Sequence, residues 1–260
     1  MLIGLKRIYE YRELLLAFVL RDIKARYKQT YIGIAWSVIQ PLLMTIIFTV
    51  VFAKFLGVKS DGIPYPVFSY IALTTWTFFS RIITVGSLDL VSNYGLISKI
   101  YFPRELLPLS TIVSSFFDFI IASSLWIFFV FFYHLTVGTA VFFVPIVLLV
   151  QLILAAGLTL LAACVVVIFR DLRFVIPFLM QIGMYASPVI YSVNNIQPKF
   201  KFWLVLNPLS GIIEGYRSIF LLNQPPNFLY LGVSLVASLV IIGLAFSLFN
   251  KIEKYLIDVI

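Results

Sequence analysis

Apolar residues run along this chain in long unbroken blocks, and charged residues mark where the blocks end. No formal charge occurs between Lys28 and Lys54, Asp61 and Arg81, Arg173 and Lys199, or Arg217 and Lys251. Between Glu105 and Arg170 the one formal charge is Asp118. A helix that crosses a bilayer needs about 20 mostly apolar residues, and these intervals supply them. The Glu105–Arg170 interval is long enough for two crossings, with YHLTVGT (Tyr133 to Thr139) as the turn. The pattern predicts six transmembrane helices, roughly 31–55, 66–86, 107–133, 139–169, 174–192 and 228–250, and an all-α membrane protein.

Three segments fall outside this pattern. Near the N-terminus, Leu16, Val19, Leu20, Ile23 and Tyr27 share one helical face, while Arg21, Asp22, Lys24, Arg26 and Lys28 occupy the other. Residues 1–30 are therefore expected to form a cytoplasmic amphipathic helix in the headgroup layer, cations toward anionic lipid. Gly33 permits a bend from there into the membrane domain, 31–260. Ser87 to Pro108 is the longest internal loop, and Leu88 and Val91 share a face within it, Asp89 and Asn93 turned away. The outer segment Asn194 to Asn227 contains IIEGYRSIFLL, too short and too charged to span yet too apolar for a solvated loop. Short external re-entrant or interfacial helices are expected there, with Glu214 and Arg217 paired at i, i+3.

Composition sharpens the picture. The chain is 62% hydrophobic and 12% charged with mean hydropathy +1.07, whereas soluble domains run at about 45–50% apolar and about 25% charged. With both termini cytoplasmic, Lys6 through Lys28, Arg81, Lys99, Arg104, Arg170, Arg173, Lys251 and Lys254 lie on the inner half; Lys54, Lys59, Lys199, Lys201 and Arg217 lie outside. That asymmetry follows the positive-inside rule. The net charge of +8 sits at the ends of apolar runs, without the aromatic-interleaved basic patch expected for nucleic acid. The apolar run Leu14 to Leu20 is too short to span and lacks a small-residue cleavage site, so no removed signal peptide is expected. Cys164 is the single cysteine, which excludes an intrachain disulfide.

Candidate chemistry is sparse. The sequence has one histidine, His134, no recognisable nucleophile–base arrangement, no metal-ligand spacing and no G-x-x-x-x-G-K-[ST] loop for nucleotide phosphates. No catalytic residue, metal or cofactor is assigned to this chain. An intramembrane transferase would need convergent polar groups. An ion-coupled secondary transporter would need ionisable groups at mid-membrane, where Asp118 alone qualifies. With Arg81 on the adjacent antiparallel helix, Asp118 reads as half of a buried structural ion pair.

Three segments carry a family resemblance. RDIKARYKQTYIGIAWSVIQPLL, FRDLRFVIPFLMQIGMYASPVIYS and NPLSGIIEGYRSIF resemble, in order, the N-terminal, fourth-to-fifth-helix and external segments of ABC-2 type polysaccharide exporter permeases. The resemblance implies a homodimer working with two separate ABC ATPase subunits, on which ATP and magnesium bind. It implies export of an isoprenoid-diphosphate-linked polysaccharide, O antigen foremost, with capsule and teichoic acid as alternatives, across the cytoplasmic membrane. Within that picture Leu88, Val91, Leu96 and Lys99 are expected to couple to the ATPase. Arg170, Asp171 and Arg173 form either an ordinary basic inner turn or an inner mouth that meets the lipid diphosphate, for which arginine's planar fork is suited. Tyr185, Tyr191, Trp203 and Tyr216 serve as interface anchors or line a sugar exit.

Overall fold

The computed structural model describes residues 9–28, 30–136 and 138–253, and those residues contain helices and no strands. The outer parts of the predicted N-terminal segment, Lys6 and Arg7 included, and Lys254 lie outside the described residues. Helix α1 spans Arg12–Tyr27; α2, Trp36–Phe48, is entered through a 3-10 turn at Gly33–Ala35 and continued by a π-helical stretch, Thr49–Phe55. Gly33 has φ +60°, the left-handed conformation that glycine adopts most readily, and it sits at the expected bend. Then come α3, Tyr65–Gly86, two single-turn helices α4, Asp89–Ser92, and α5, Tyr94–Ile97, and the long α6, Leu106–Phe132. The second half contains α7, Val144–Ile168, α8, Leu172–Ala186, α9, Pro198–Leu206, α10, Pro208–Leu221, and α11, Phe228–Ile252.

Among the described residues four helices are long and apolar enough to cross a membrane: Gly33–Phe55, Leu106–Phe132, Thr139–Ile168 and Phe228–Ile252. The predicted second span coincides with α3 but is not among them. The reason is its position: α2, α6, α7, α8 and α10 all pack around α3, and a helix screened from lipid need not be apolar. Its buried hydroxyls turn back onto their own helix, Ser69 to the Tyr65 carbonyl at 2.9 Å and Thr75 to the Ile71 carbonyl at 2.8 Å. Tyr70 donates to the Ala122 carbonyl at 2.9 Å and Trp126 Nε1 to Thr74 Oγ1 at 2.9 Å, joining α3 to α6.

The predicted fifth span, 174–192, is helical over a shorter stretch than expected. Helix α8 has 15 residues and stops at Ala186, with Ser187 extended; at about 1.5 Å per residue it reaches only about 22 Å, short of a hydrocarbon core of about 30 Å. Asn207 and Asn227 cap α10 and α11, accepting from the Leu209 and Leu229 amides at 3.0 Å. Helix α7 packs closely on α11 through Gly157, where a Cβ would stand 2.9 Å from the Ile242 nitrogen. Small residues at such crossings let membrane helices approach.

Helix α1 departs from the amphipathic expectation. Its inward stripe is Tyr11, Leu14, Leu15, Phe18, Val19, Asp22, Ile23, Arg26 and Tyr27, while Leu16 and Leu20 are over half exposed. The stripe keeps helical spacing throughout but changes chemistry along its length. The N-terminal half is apolar and packs with Phe102, Leu106 and Leu107. The C-terminal half is polar, because the surface it meets on α6 is polar.

Candidate functional site

That polar seam is a matter of register. Asp22 and Arg26 are four apart on α1; Ser110, Ser114 and Asp118 are four apart on α6, so each set lies on one helical face. Ser110 donates to Asp22 Oδ2 at 2.9 Å. Arg26 Nη1 reaches the Ser114 carbonyl at 3.4 Å and also bonds Asp118 Oδ2. Tyr27 donates to the other carboxylate oxygen at 2.5 Å. Arg81 Nε, from α3, stands 4.0 Å from Asp118 Oδ2, beyond hydrogen-bond distance. Asp118 thus faces two guanidinium groups, and the nearer is Arg26, not the Arg81 expected from helix adjacency. Beside them lies a cavity of about 120 Å³ lined by residues that include Arg26, Arg81, Gln40, Thr77 and Trp36.

A second polar cluster joins α1 to the segment between α3 and α6. Thr111 donates to Asp89 Oδ2 at 2.6 Å, and Arg21 Nη1 donates to Asn93 Oδ1 at 3.2 Å. Burial pushes the Asp89 carboxyl up to about 7, with the Asp22 charge acting in the same direction and the Thr111 hydroxyl against it. Asp89 is therefore not turned away into water. Around it, Leu88, Val91 and Leu96 are partly buried and pack on the protein's own core. The large exposed side chains of this loop are instead Tyr94, Lys99, Ile100 and Tyr101.

The remaining predicted sites are dispersed. Arg170, Asp171 and Arg173 lie exposed in the α7–α8 turn, with the Arg173 guanidinium 4.6 Å from the centroid of the Phe174 ring; they do not line the Arg26–Arg81 cavity. Tyr185 and Trp203 are exposed, and Tyr191 donates to the Tyr185 carbonyl at 3.3 Å. Tyr216 is separate: it is 1% exposed, donates to Gln151 Oε1 at 2.7 Å and meets the Trp126 ring at 5.2 Å. Its place is in the core of this chain, where it also helps to line an apolar pocket with Phe116, Ile127 and Phe220. Its neighbour Arg217 pairs with Glu214 at 2.8 Å and donates to the carbonyls of Pro188 and Val189 at 2.6 and 2.9 Å. Among the described residues no three His, Cys, Asp or Glu side chains are grouped to hold a metal.

The family model for the ABC-2 type transporter matches residues 13–221, from α1 through α10. The chain belongs to the ABC-2 type transporter family. Relatives of this ABC-2 chain extend over almost its full length. It is 29% identical to the O-antigen export system permease protein RfbA of Myxococcus xanthus, covering 95% of both chains. It is 27% identical to the protein of the same name from Klebsiella pneumoniae, over 93% of this chain and 92% of that one. The polysialic acid transport protein KpsM of Escherichia coli is 24% identical over 84% of each. Within this ABC-2 membrane domain, the residues missed by sequence reasoning are Arg26 and Tyr27. The signal was present as D-x-x-x-R in α1 matching S-x-x-x-S-x-x-x-D in α6.

Proposed function

We propose that this chain is the membrane permease of an ATP-driven exporter that moves a lipid-linked polysaccharide, O antigen foremost, out through the cytoplasmic membrane. The observation that carries the reading is the near full-length match to permeases named for O-antigen export. The polymer travels on an isoprenoid diphosphate, and two copies of the chain enclose its path. Two separate ABC ATPase subunits, binding ATP and magnesium, supply the energy. This reading has six crossings with both termini cytoplasmic, α3 being the crossing shielded by its neighbours and α8 completed by the turn residues after Ala186. The basic turn at Arg170 and Arg173 then lies on the inner side, close to where a diphosphate headgroup arrives. The exposed loop residues Tyr94, Ile100 and Tyr101, with Lys99, replace Leu88, Val91 and Leu96 as the contact for the ATPase.

The test is to delete the gene and follow the polymer. Cells should retain lipid-linked polysaccharide inside and lose it from the surface, with recovery when this chain is restored while its ATPase is present. Unchanged surface polymer in the deletion would refute the reading.

A further inference from the structure

The cavity between α1, α2, α3 and α6 carries more positive charge than its one carboxylate can use. Both oxygens of Asp118 are engaged, one by Arg26 and the other by Tyr27. Arg81 Nε is buried and makes no hydrogen bond, although the guanidinium borders open space. Two guanidiniums against one carboxylate leave a net charge of +1 in a setting where water cannot fully screen it. The cavity, about 120 Å³, is polar and roomy enough to hold ordered water. Gln40 and Thr77 add neutral donors to its wall, and its rim carries Trp36, 45% exposed, beside the exposed Ile32 and Ile34. A charged interior with an apolar rim at the membrane suits a group that is anionic at one end and hydrocarbon at the other.

We propose that this cavity binds the phosphate group of a membrane lipid, with Arg81 as its principal ligand. Arg81 presents a fork to two phosphate oxygens, as guanidinium groups do to oxyanions. Asp118, itself held by Tyr27, keeps Arg26 in place behind it and sets the charge of the site. The export reading enters in one respect only: it makes an isoprenoid diphosphate the lipid bound, whereas the phosphate site itself stands on the two arginines.

The test uses the full chain with its partner ATPase in nanodiscs and measures retention of a radiolabelled polyprenyl diphosphate. Arg81→Gln should weaken retention by about tenfold or more, the worth of one charge-assisted contact, while binding of the phosphate-free polyprenol stays unchanged. Gln40→Glu, at an exposed wall position, places a negative charge at the mouth and should weaken retention without touching the Asp118 cluster. Competition by inorganic diphosphate would assign the site to the free anion as well as to the lipid. Equal retention of phosphatidylglycerol, lost in the same variants, supports the phosphate site and counts against the export substrate alone. Wild-type retention in both Arg81→Gln and Gln40→Glu would overturn the inference.

Discussion

Arg217 offers a sharp test of what holds the segment after α8 together. After α8 stops, Pro188 to Tyr191 run without helical hydrogen bonds to satisfy their carbonyls. The Arg217 guanidinium, 3% exposed, takes that role: Nη1 donates to Pro188 at 2.6 Å and Tyr191 at 3.3 Å, Nη2 to Val189 at 2.9 Å. It also lies 3.5 Å from the centroid of the Phe68 ring. Replacement by leucine removes every one of these donors at once. Two close carbonyls left unpaired cost about 1–3 kcal/mol each, and Glu214, 21% exposed at its side chain, loses its partner but keeps access to water. The expected loss is about 3–5 kcal/mol, the usual range for breaking a buried charge cluster. Arg217→Lys should lose about half of that, since three donors on a point charge cannot span the same carbonyl set. Glu214→Gln should cost about 1 kcal/mol or less. Equilibrium unfolding of the purified protein in one fixed detergent measures all three. An Arg217→Leu protein as stable as wild type, or a Glu214→Gln protein less stable than the Arg217→Leu one, would refute the reasoning.

Three further outcomes are expected. Asp118→Asn leaves Arg26 and Arg81 facing each other and should destabilise by about 3–5 kcal/mol; Arg26→Gln should cost less, because Arg81 can close its 4.0 Å gap to the carboxylate, and the double replacement should recover part of the Asp118→Asn loss, all read from unfolding midpoints. The raised Asp89 carboxyl means that the folded protein keeps a proton which the unfolded chain releases between pH 3.8 and about 7. Stability from this group is therefore full below that window and lost as pH rises through about 7, so Asp89→Asn should flatten the thermal-stability profile and stabilise the protein at pH 8; an unchanged slope would exclude Asp89 as the source. Tyr101→Glu, at a position 83% exposed, should lower co-purification of the ATPase while leaving the fold intact, whereas Leu96→Glu should lower stability itself by putting a charge against the Phe18 and Leu106 cluster.

Charge-free intervals located the helices because the solvent around most of them is hydrocarbon, where a charge is costly. The same reasoning weakened where the surroundings were protein. Helix α3 carries Ser69, Thr74, Thr75 and Arg81, and its neighbours supply the environment that lipid would deny. Interval length also misjudged α8, since nothing in the run from Phe174 to Ser192 shows that Arg217 and Tyr65, the latter donating to the Ile190 carbonyl at 2.9 Å, would take over its last backbone groups. Those partners lie tens of residues away in either direction.

The candidate site was half legible for a related reason. Asp118 stood out because a lone carboxylate in an apolar helix demands a partner, and Arg81 was the nearest cation on a neighbouring helix. What a helical wheel could not show is that α1 buries one continuous stripe whose chemistry changes halfway. Summing hydrophobicity around such a helix sets Phe18 and Val19 against Asp22 and Arg26, although all four lie on the inward stripe. The useful comparison is between helices: a four-residue polar period in α1 and the same period in α6 pair only if the helices run side by side in the same direction. Ser110 with Asp22 and Ser114 with Arg26 fix that direction. Asp118 then falls one turn further along, next to Tyr27, which leaves Arg81 as the cation with an unused donor beside the cavity.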